Sequence, residues 1–338
     1  MIEGQAITRT FASRRGMLGH RGVRALRGVD FTIPDRGAVS FIGESGCGKT
    51  TLGRILCGLE SFDGGDLIIG DQPMAGLKPR QRAPYHRRIQ MIHQDPYSAL
   101  NPTRTIGQIL AAPLALRARQ LGADRGWLER RRSELLGLVG LDPDYVLPRY
   151  PHMLSGGMRQ RVVIARALTV DPDVLVADEA VSMIDVSLRL GILQLLRDLR
   201  DAVGVSLLFI THDIATARYV GQGGQLYVIY RGSVAEQGDT DTVIQHPAHP
   251  YTQCLLSAIP VMRGIELPGP ERVVPTGPLD ERSEPRGCLF EPRCPFAEED
   301  CAASPPALTQ LGGTKQSHAC LHPARRSVVA VPAPTGGA

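Results

Sequence analysis

Ala38-Val39-Ser40-Phe41-Ile42-Gly43-Glu44-Ser45-Gly46-Cys47-Gly48-Lys49-Thr50-Thr51-Leu52 decides the architecture. A short apolar run leads into a glycine-rich turn, and Leu52, Ile55, Leu56 and Leu59 then follow at helical spacing. The segment reads as strand, loop and helix. Its loop fits G-x-x-x-x-G-K-[ST] in the context that pattern needs. Glycines at 43, 46 and 48 let backbone N–H groups converge on phosphate oxygens with no side chain in the way, and the helix N-terminus adds partial positive charge. Lys49 supplies a compact cation for the β- and γ-phosphates, and the Thr50 hydroxyl is a candidate Mg²⁺ ligand. Gly43, Glu44, Ser45, Gly46, Cys47, Gly48, Lys49, Thr50 and Thr51 are therefore the expected nucleotide contacts, with Cys47 a small filler without redox work.

Two further segments are expected at the same sheet edge. Val174-Leu-Val-Ala-Asp178-Glu179 is a buried strand ending in two acids. In open α/β sheets, ligands bind at the C-terminal ends of the strands. Asp178 there can hold Mg²⁺, and Glu179 can orient and deprotonate an attacking water. Thr211-His212-Asp213 follows a strand over Ser206–Ile210, which places His212 where it can sense the γ-phosphate.

Helical spacing marks the Leu-, Ala- and Arg-rich stretch 107–149, the segment 157–168, and Ile192, Leu195, Leu196 and Leu199. Val29, Phe31 and Ile33 alternate with polar residues, as a half-buried strand does. Strands alternating with helices imply an α/β fold built on a largely parallel sheet.

The chain has 338 residues, 43% of them hydrophobic, enough for one large core and a smaller appendage. A formal net charge of +4 does not favour a dedicated nucleic-acid binder. No apolar run approaches the roughly 18 residues that cross a bilayer, and the N-terminus lacks a signal-peptide pattern. A cytoplasmic protein is expected, with any membrane work left to partners. Lys49, Lys78 and Lys315 are the only lysines, an imbalance best read as codon bias. Beyond about Pro260, proline, glycine and charge replace periodicity. Of seven cysteines, Cys288, Cys294, Cys301 and Cys320 cluster there as C-x5-C-x6-C-x18-C. In a reducing compartment this spacing suggests a four-ligand zinc or iron–sulfur site ahead of disulfides, with plain reduced thiols as the bland alternative.

Leu154-Ser155-Gly156-Gly157-Met158-Arg159-Gln160-Arg161 resembles the signature sequence of ABC ATPases, and the order of motifs is similar to that family over residues 5–255. The resemblance implies a P-loop NTPase cassette over residues 1–255 with an inserted helical subdomain over about 107–168. It implies that Gln94 contacts Mg²⁺ and the attacking water, that Asp185 closes the D-loop, that His212 is the switch histidine, and that Phe11 stacks on adenine. It further implies that Ser155, Gly156 and Gly157 meet the ATP of a second ATPase subunit, a sister chain, in a head-to-tail pair. Ala180, Met158, Met183 and Ile184 depart from the family's common residues without removing a catalytic group, so ATP hydrolysis is expected.

His249-Pro-Tyr-Thr252, Cys288-Leu-Phe-Glu-Pro-Arg-Cys294-Pro and His318-Ala-Cys320 resemble the C-terminal extension of oligopeptide-importer ATPases. That implies a small irregular Cys-rich domain over 256–327, a disordered tail over 328–338, and a [4Fe–4S] cluster ahead of Zn²⁺ at the four cysteines. The implied assembly has two transmembrane permease subunits and an extracytoplasmic solute-binding protein, with this chain peripheral on the cytoplasmic face of the membrane. The implied solute is a di- or oligopeptide, with oligosaccharide or nickel as alternatives. An accessory subunit of a soluble phosphonate-lyase-type complex is the competing reading.

Overall fold

The computed structural model describes residues 1–12, 22–258, 272–278, 285–326 and 328. Two sheets share the core. The smaller is antiparallel, with strands β1 (Ile2–Phe11), β2 (Val23–Ile33), β4 (Gly64–Ile69) and β5 (Gln72–Pro73) in the order β2-β1-β4-β5. The larger contains β3 (Ala38–Ile42), β6 (Ile89–Ile92), β7 (Val174–Asp178), β8 (Ser206–Thr211), β9 (Gln225–Tyr230), β10 (Ser233–Asp239), β11 (Thr309–Gln310) and β12 (Ser317–His318). Its order is β11-β12-β10-β9-β3-β8-β7-β6.

The five strands β9, β3, β8, β7 and β6 pair in parallel, while β10, β12 and β11 extend the sheet antiparallel. Every residue of β3, β7 and β8 is buried. That is why these strands read as continuous apolar runs: a parallel sheet covered on both faces has no solvent side to alternate with.

A largely parallel sheet is the expectation, which β9, β3, β8, β7 and β6 meet; the smaller antiparallel sheet stands in addition to it. Strand β1 hides its two-residue alternation behind register shifts at Gly4/Ile7, Ile7/Thr8 and Arg9/Thr10. Each bulge adds an unpaired residue and turns the following side chains to the other face. The half-buried strand read at Val29–Ile33 is the end of the longer β2.

Helix α1 (Lys49–Leu56) leaves the end of β3 and buries Leu52, Ile55 and Leu56. Short helices α2 (Pro79–His86) and α3 (Pro96–Ala99) flank β6. The stretch read as helical forms α4 (Ile106–Leu121), α5 (Arg125–Leu138) and the single turn α6 (Pro143–Val146). A capping box between Thr105 and Gln108 starts α4, and Gly122 in the left-handed region ends it. With α7 (Gly156–Ala167), these helices enclose Leu110, Leu114, Leu135, Leu136, Val162 and Val163 in an apolar layer. Helix α8 (Val186–Val203) buries Ile192, Leu193, Leu195, Leu196 and Leu199, and α9 (Ile214–Val220), α10 (Thr240–Gln245) and α11 (Pro250–Ser257) complete the α-helices among the described residues.

Past α11, residues 285–326 form 3-10 turns at Glu291–Arg293 and Glu299–Ala302 and pair β12 with β10. The tail expected over 328–338 lies outside the described residues apart from Val328.

Phe41 joins the two sheets. Its ring meets Phe31 of β2 edge-on with centroids 6.0 Å apart, and Tyr227 of β9 at 5.1 Å. Phe41→Ala is expected to cost about 3–5 kcal/mol of stability in denaturant-induced unfolding. A loss under about 1 kcal/mol would mean that the junction repacks.

Candidate functional site

The site is assembled where β3, β7 and β8 end together. Between β3 and α1 the backbone runs without side-chain obstruction. A Cβ on Gly43 would lie 2.2 Å from the Ile229 carbonyl oxygen, and one on Gly48, whose φ is 107°, would lie 2.3 Å from that of Ala25. Neighbouring backbone therefore presses the loop into shape, and only glycine fits at these two points. Lys49 is buried and folds back over the turn, where its Nζ donates to the carbonyls of Gly43 at 2.8 Å and Glu44 at 2.9 Å.

One residue on, Thr50 Oγ1 donates to Asp178 Oδ1 at 3.0 Å. Asp178 is the last residue of β7. Burial raises its pKa above the usual carboxylate range, the Thr50 hydrogen bond opposes that rise, and the neighbouring Glu179 adds to it. A hydroxyl and a carboxylate oxygen thus meet at one point. Oxygen donors of this kind suit a hard divalent ion such as Mg²⁺.

Glu179 takes a left-handed backbone, φ 51°, and its N–H donates to the Ile210 carbonyl at 2.9 Å. Non-glycine residues held there carry strain of about 1–3 kcal/mol and concentrate at functional sites. The turn aims the Glu179 carboxylate at His212, whose Nδ1 lies 2.7 Å from Oε1. The carboxylate is mostly sheltered and the imidazole exposed, so the pair sits at the mouth of the site.

Lys49, Thr50, Asp178, Glu179 and His212 are thereby brought together, while the other expected residues stand apart. Gln94 is exposed between β6 and α3 and makes no hydrogen bond to the group. Ser155 caps α7 by accepting from the Met158 N–H at 3.3 Å, and open space surrounds Gly156. A Cβ on Gly157 would meet Leu188 of α8 at 3.2 Å, so the start of α7 lies beside the exposed Asp185, Val186 and Met183. Arg159 fastens the start of α7 to the carbonyls of Pro151 and His152, and its guanidinium lies 4.1 Å from the centroid of the Tyr97 ring, three residues from Gln94. Phe11 ends β1 opposite Val23, two residues before the Ala25 carbonyl that abuts Gly48, and Arg9 covers its ring at 4.9 Å.

Glu44 has partners that the sequence did not reveal. Its N–H donates to the Tyr251 hydroxyl at 2.8 Å, and Arg293 forks onto its carboxylate. Tyr251 stood inside the quoted His249–Thr252 segment, but no local pattern assigns its hydroxyl a target. Arg293 lay in plain view between two cysteines, where only the folded chain shows its partner.

The four C-terminal cysteines lie within one another's electrostatic reach. The Cys288 N–H donates to the Cys301 carbonyl at 2.8 Å. Burial pushes the Cys294 thiol up to about 11 and the Cys320 thiol up to about 12, and neighbouring thiols of the set add to both. Burial likewise raises Cys288. Among the described residues, one group of three ligand-type side chains has donor atoms all within 4.8 Å of one another: Asp300, Cys301 and His322.

A glycine-rich loop between strand and helix, a lysine within it, and acids at the neighbouring strand end define the P-loop nucleotide-binding class. Comparison with known proteins narrows that class. Residues 26–182 match the ABC transporter family model, and residues 235–301 match the model described as the oligopeptide/dipeptide transporter C-terminal region. The chain is 38% identical over 324 residues to the di/tripeptide transport ATP-binding protein of Pseudomonas aeruginosa, covering 95% of this chain and 97% of that one. It is 37% identical to the dipeptide transport ATP-binding protein of Escherichia coli over 318 residues, 93% of this chain and 92% of that one. A solved dimeric ATP-binding cassette, in a post-hydrolysis state bound to ADP and Pi, superposes with a TM-score of 0.61 at 28% identity. That match covers 71% of this chain and 99% of the cassette. The chain belongs to the ABC transporter ATPase family, and it binds and hydrolyses ATP.

Gly48→Ala would drive a methyl group into the Ala25 carbonyl at a φ that L-residues avoid. The expected result is at least about 100-fold weaker ATP binding by titration calorimetry. Wild-type affinity would show that the loop tolerates a shifted β2.

Proposed function

We propose that this chain drives the uptake of di- and oligopeptides by hydrolysing ATP for partner membrane subunits. The observation that carries the reading is the Glu179–His212 pair at 2.7 Å, poised beside the Lys49–Thr50–Asp178 group. The peptide solute is supported by the names of the relatives, which match over nearly the whole chain, and by the match to the C-terminal model.

In this mechanism the backbone N–H groups of residues 43–50 and Lys49 hold the phosphates, and Lys49 exchanges its carbonyl partners for phosphate oxygens. Thr50 and Asp178 hold Mg²⁺, assisted by Gln94; the ion supplies charge neutralisation of the phosphates. Glu179 orients the attacking water and takes its proton as the water oxygen bonds to the γ-phosphorus and the bond to the β-phosphate oxygen breaks. His212 holds the carboxylate in place and reads the γ-phosphate. Phe11 stacks on the adenine.

Ser155, Gly156 and Gly157 act on the ATP of a second subunit. Their freedom from the chain's own phosphate loop, with open space at Gly156, supports that role. Asp185 and the exposed Met183 and Val186 border the same meeting surface. No helix among the described residues is long and apolar enough to cross a membrane. Two permease subunits, a sister ATPase and a solute-binding protein complete the proposed machine, with this chain peripheral on the cytoplasmic face. Residues 1–255 are the proposed ATPase domain, 107–168 its helical subdomain and 256–327 the Cys-rich extension.

Cys288, Cys294, Cys301 and Cys320 are proposed to hold a [4Fe–4S] cluster. All-thiolate donors fit it, and a cationic core would offset the burial that raises the Cys288, Cys294 and Cys320 thiols.

Glu179→Gln should keep ATP binding and lose turnover by about 10²–10⁴-fold, and rapid hydrolysis by that variant would remove the general-base assignment. Trapped with ATP and recovered from gently solubilised membranes, it should bring two permeases, a sister ATPase and a peptide-loaded binding protein. Recovery of soluble enzymes alone would overturn the transport reading. Anaerobically purified protein should be brown and carry iron with acid-labile sulfide, whereas colourless protein with stoichiometric zinc would replace the cluster.

A further inference from the structure

Glu44, the second residue of the phosphate loop, is gripped on three sides. Its N–H donates to Tyr251, and its carbonyl accepts from Lys49. Its carboxylate accepts two parallel hydrogen bonds from Arg293, Nη1 to Oε2 at 2.8 Å and Nη2 to Oε1 at 2.9 Å. The two residues are 249 positions apart in the chain.

Arg293 is itself fixed. Its Nε donates to the Gly277 carbonyl at 3.2 Å and its Nη1 to the Tyr230 hydroxyl at 3.3 Å. The side chain is only 11% exposed. It projects from the 3-10 turn Glu291–Arg293, and the Thr276 N–H donates to its carbonyl at 3.0 Å. Phe290, just before that turn, is buried against Tyr230 and Tyr251 with ring centroids 5.3 Å and 5.4 Å away. This aromatic group backs the loop and forms the floor on which Arg293 sits.

The placement has an electrostatic consequence. A carboxylate inside a loop that receives a polyanion repels it unless neutralised and turned aside. A forked guanidinium does both, fixing direction as well as charge. An ion pair elsewhere on the surface would contribute little; this one ends on the backbone whose N–H directions define the phosphate site.

We infer that Arg293 is a positioning residue for ATP: acting through Glu44, it holds the phosphate loop in its nucleotide-ready shape, so the C-terminal Cys288–Cys294 segment sets the chain's affinity for ATP. The inference rests on the reading of residues 43–50 as the phosphate cradle.

The test measures affinity of the full-length chain for ATP, by displacement of a fluorescent ATP analogue, alongside steady-state hydrolysis. Arg293→Ala should weaken ATP binding by about tenfold and raise KM with kcat largely kept. Arg293→Lys, which keeps the charge and loses the fork, should recover part of that loss. Glu44→Gln should weaken binding less, and combining it with Arg293→Ala should add nothing, because both break one contact. Arg326→Ala removes a contact of the same region that does not reach Glu44: Arg326 stacks on Phe296 at 3.6 Å, and the variant should bind ATP as the wild type does. If Arg293→Ala does not fold, Arg293→Lys and Glu44→Gln carry the test. Wild-type affinity in the folded Arg293 variants, multiplying effects in the double variant, or equal weakening by Arg326→Ala would each overturn the inference. Lys49→Ala separates the two levels. Should it bind ATP normally, the cradle reading itself fails; should it lose binding while the Arg293 variants keep it, only the positioning role fails.

Discussion

Parallel pairing of β7, β8 and β3 is the constraint from which the site follows. In that register Asp178 stands beside Ile210, and Thr211 beside Ile42. Three strand ends therefore deliver the phosphate loop, the acid pair and His212 to one edge, although they lie far apart in the chain. A slip of one residue in β7 would turn Asp178 to the opposite face of the sheet and separate it from Thr50. The buried apolar residues of these strands hold the register, so the packing of the core and the geometry of catalysis are one requirement. The Glu179 N–H bond to Ile210 then turns the chain sharply off the sheet and aims the carboxylate at His212.

Charge at this edge is arranged to receive an anion. Lys49 satisfies itself on two carbonyls that a phosphate can outcompete, since a charged acceptor binds an ammonium more strongly than a neutral one. Asp178 is buried against a hydroxyl donor; burial raises its pKa and the Thr50 hydrogen bond opposes the rise. Both groups gain when a phosphate and a divalent ion arrive together. Neither gains fully from one alone, which favours the metal–nucleotide complex as the bound species.

Contiguity decided what could be read from the sequence. The phosphate loop, the Asp178–Glu179 pair and the cap at Ser155 are each set by neighbours within a few residues, and their chemistry stood in the letters. The antiparallel sheet was missed because the bulges of β1 scramble its alternation. The left-handed backbone of Glu179 is likewise invisible, because it arises from a hydrogen bond to a strand 31 positions on. Gln94 and Asp185 were named through family likeness, and within one chain neither touches the reacting group. The significance of Arg293 is a contact with Glu44 that only the tertiary fold creates, so no local pattern marks it.

The C-terminal residues are joined to the ATPase by more than that contact. Glu236 of β10 is fully buried and accepts hydrogen bonds from the N–H groups of Ala248 and His249 and from the Gln316 amide, at 2.8, 3.0 and 2.5 Å. Burial raises its pKa while these donors pull it down. A buried carboxylate is costly unless every donor around it is in place. Here the donors come from the start of α11 and from residue 316, on either side of the Cys288–Cys301 stretch. Loosening that segment would strip donors from Glu236 and leave the charge inadequately satisfied. The cost would fall on β10, whose neighbour β9 supplies Tyr230 and, through the Ile229 carbonyl, the surface against which Gly43 is pressed. The extension is thus built into the sheet that carries the phosphate loop, and the order of one depends on the order of the other.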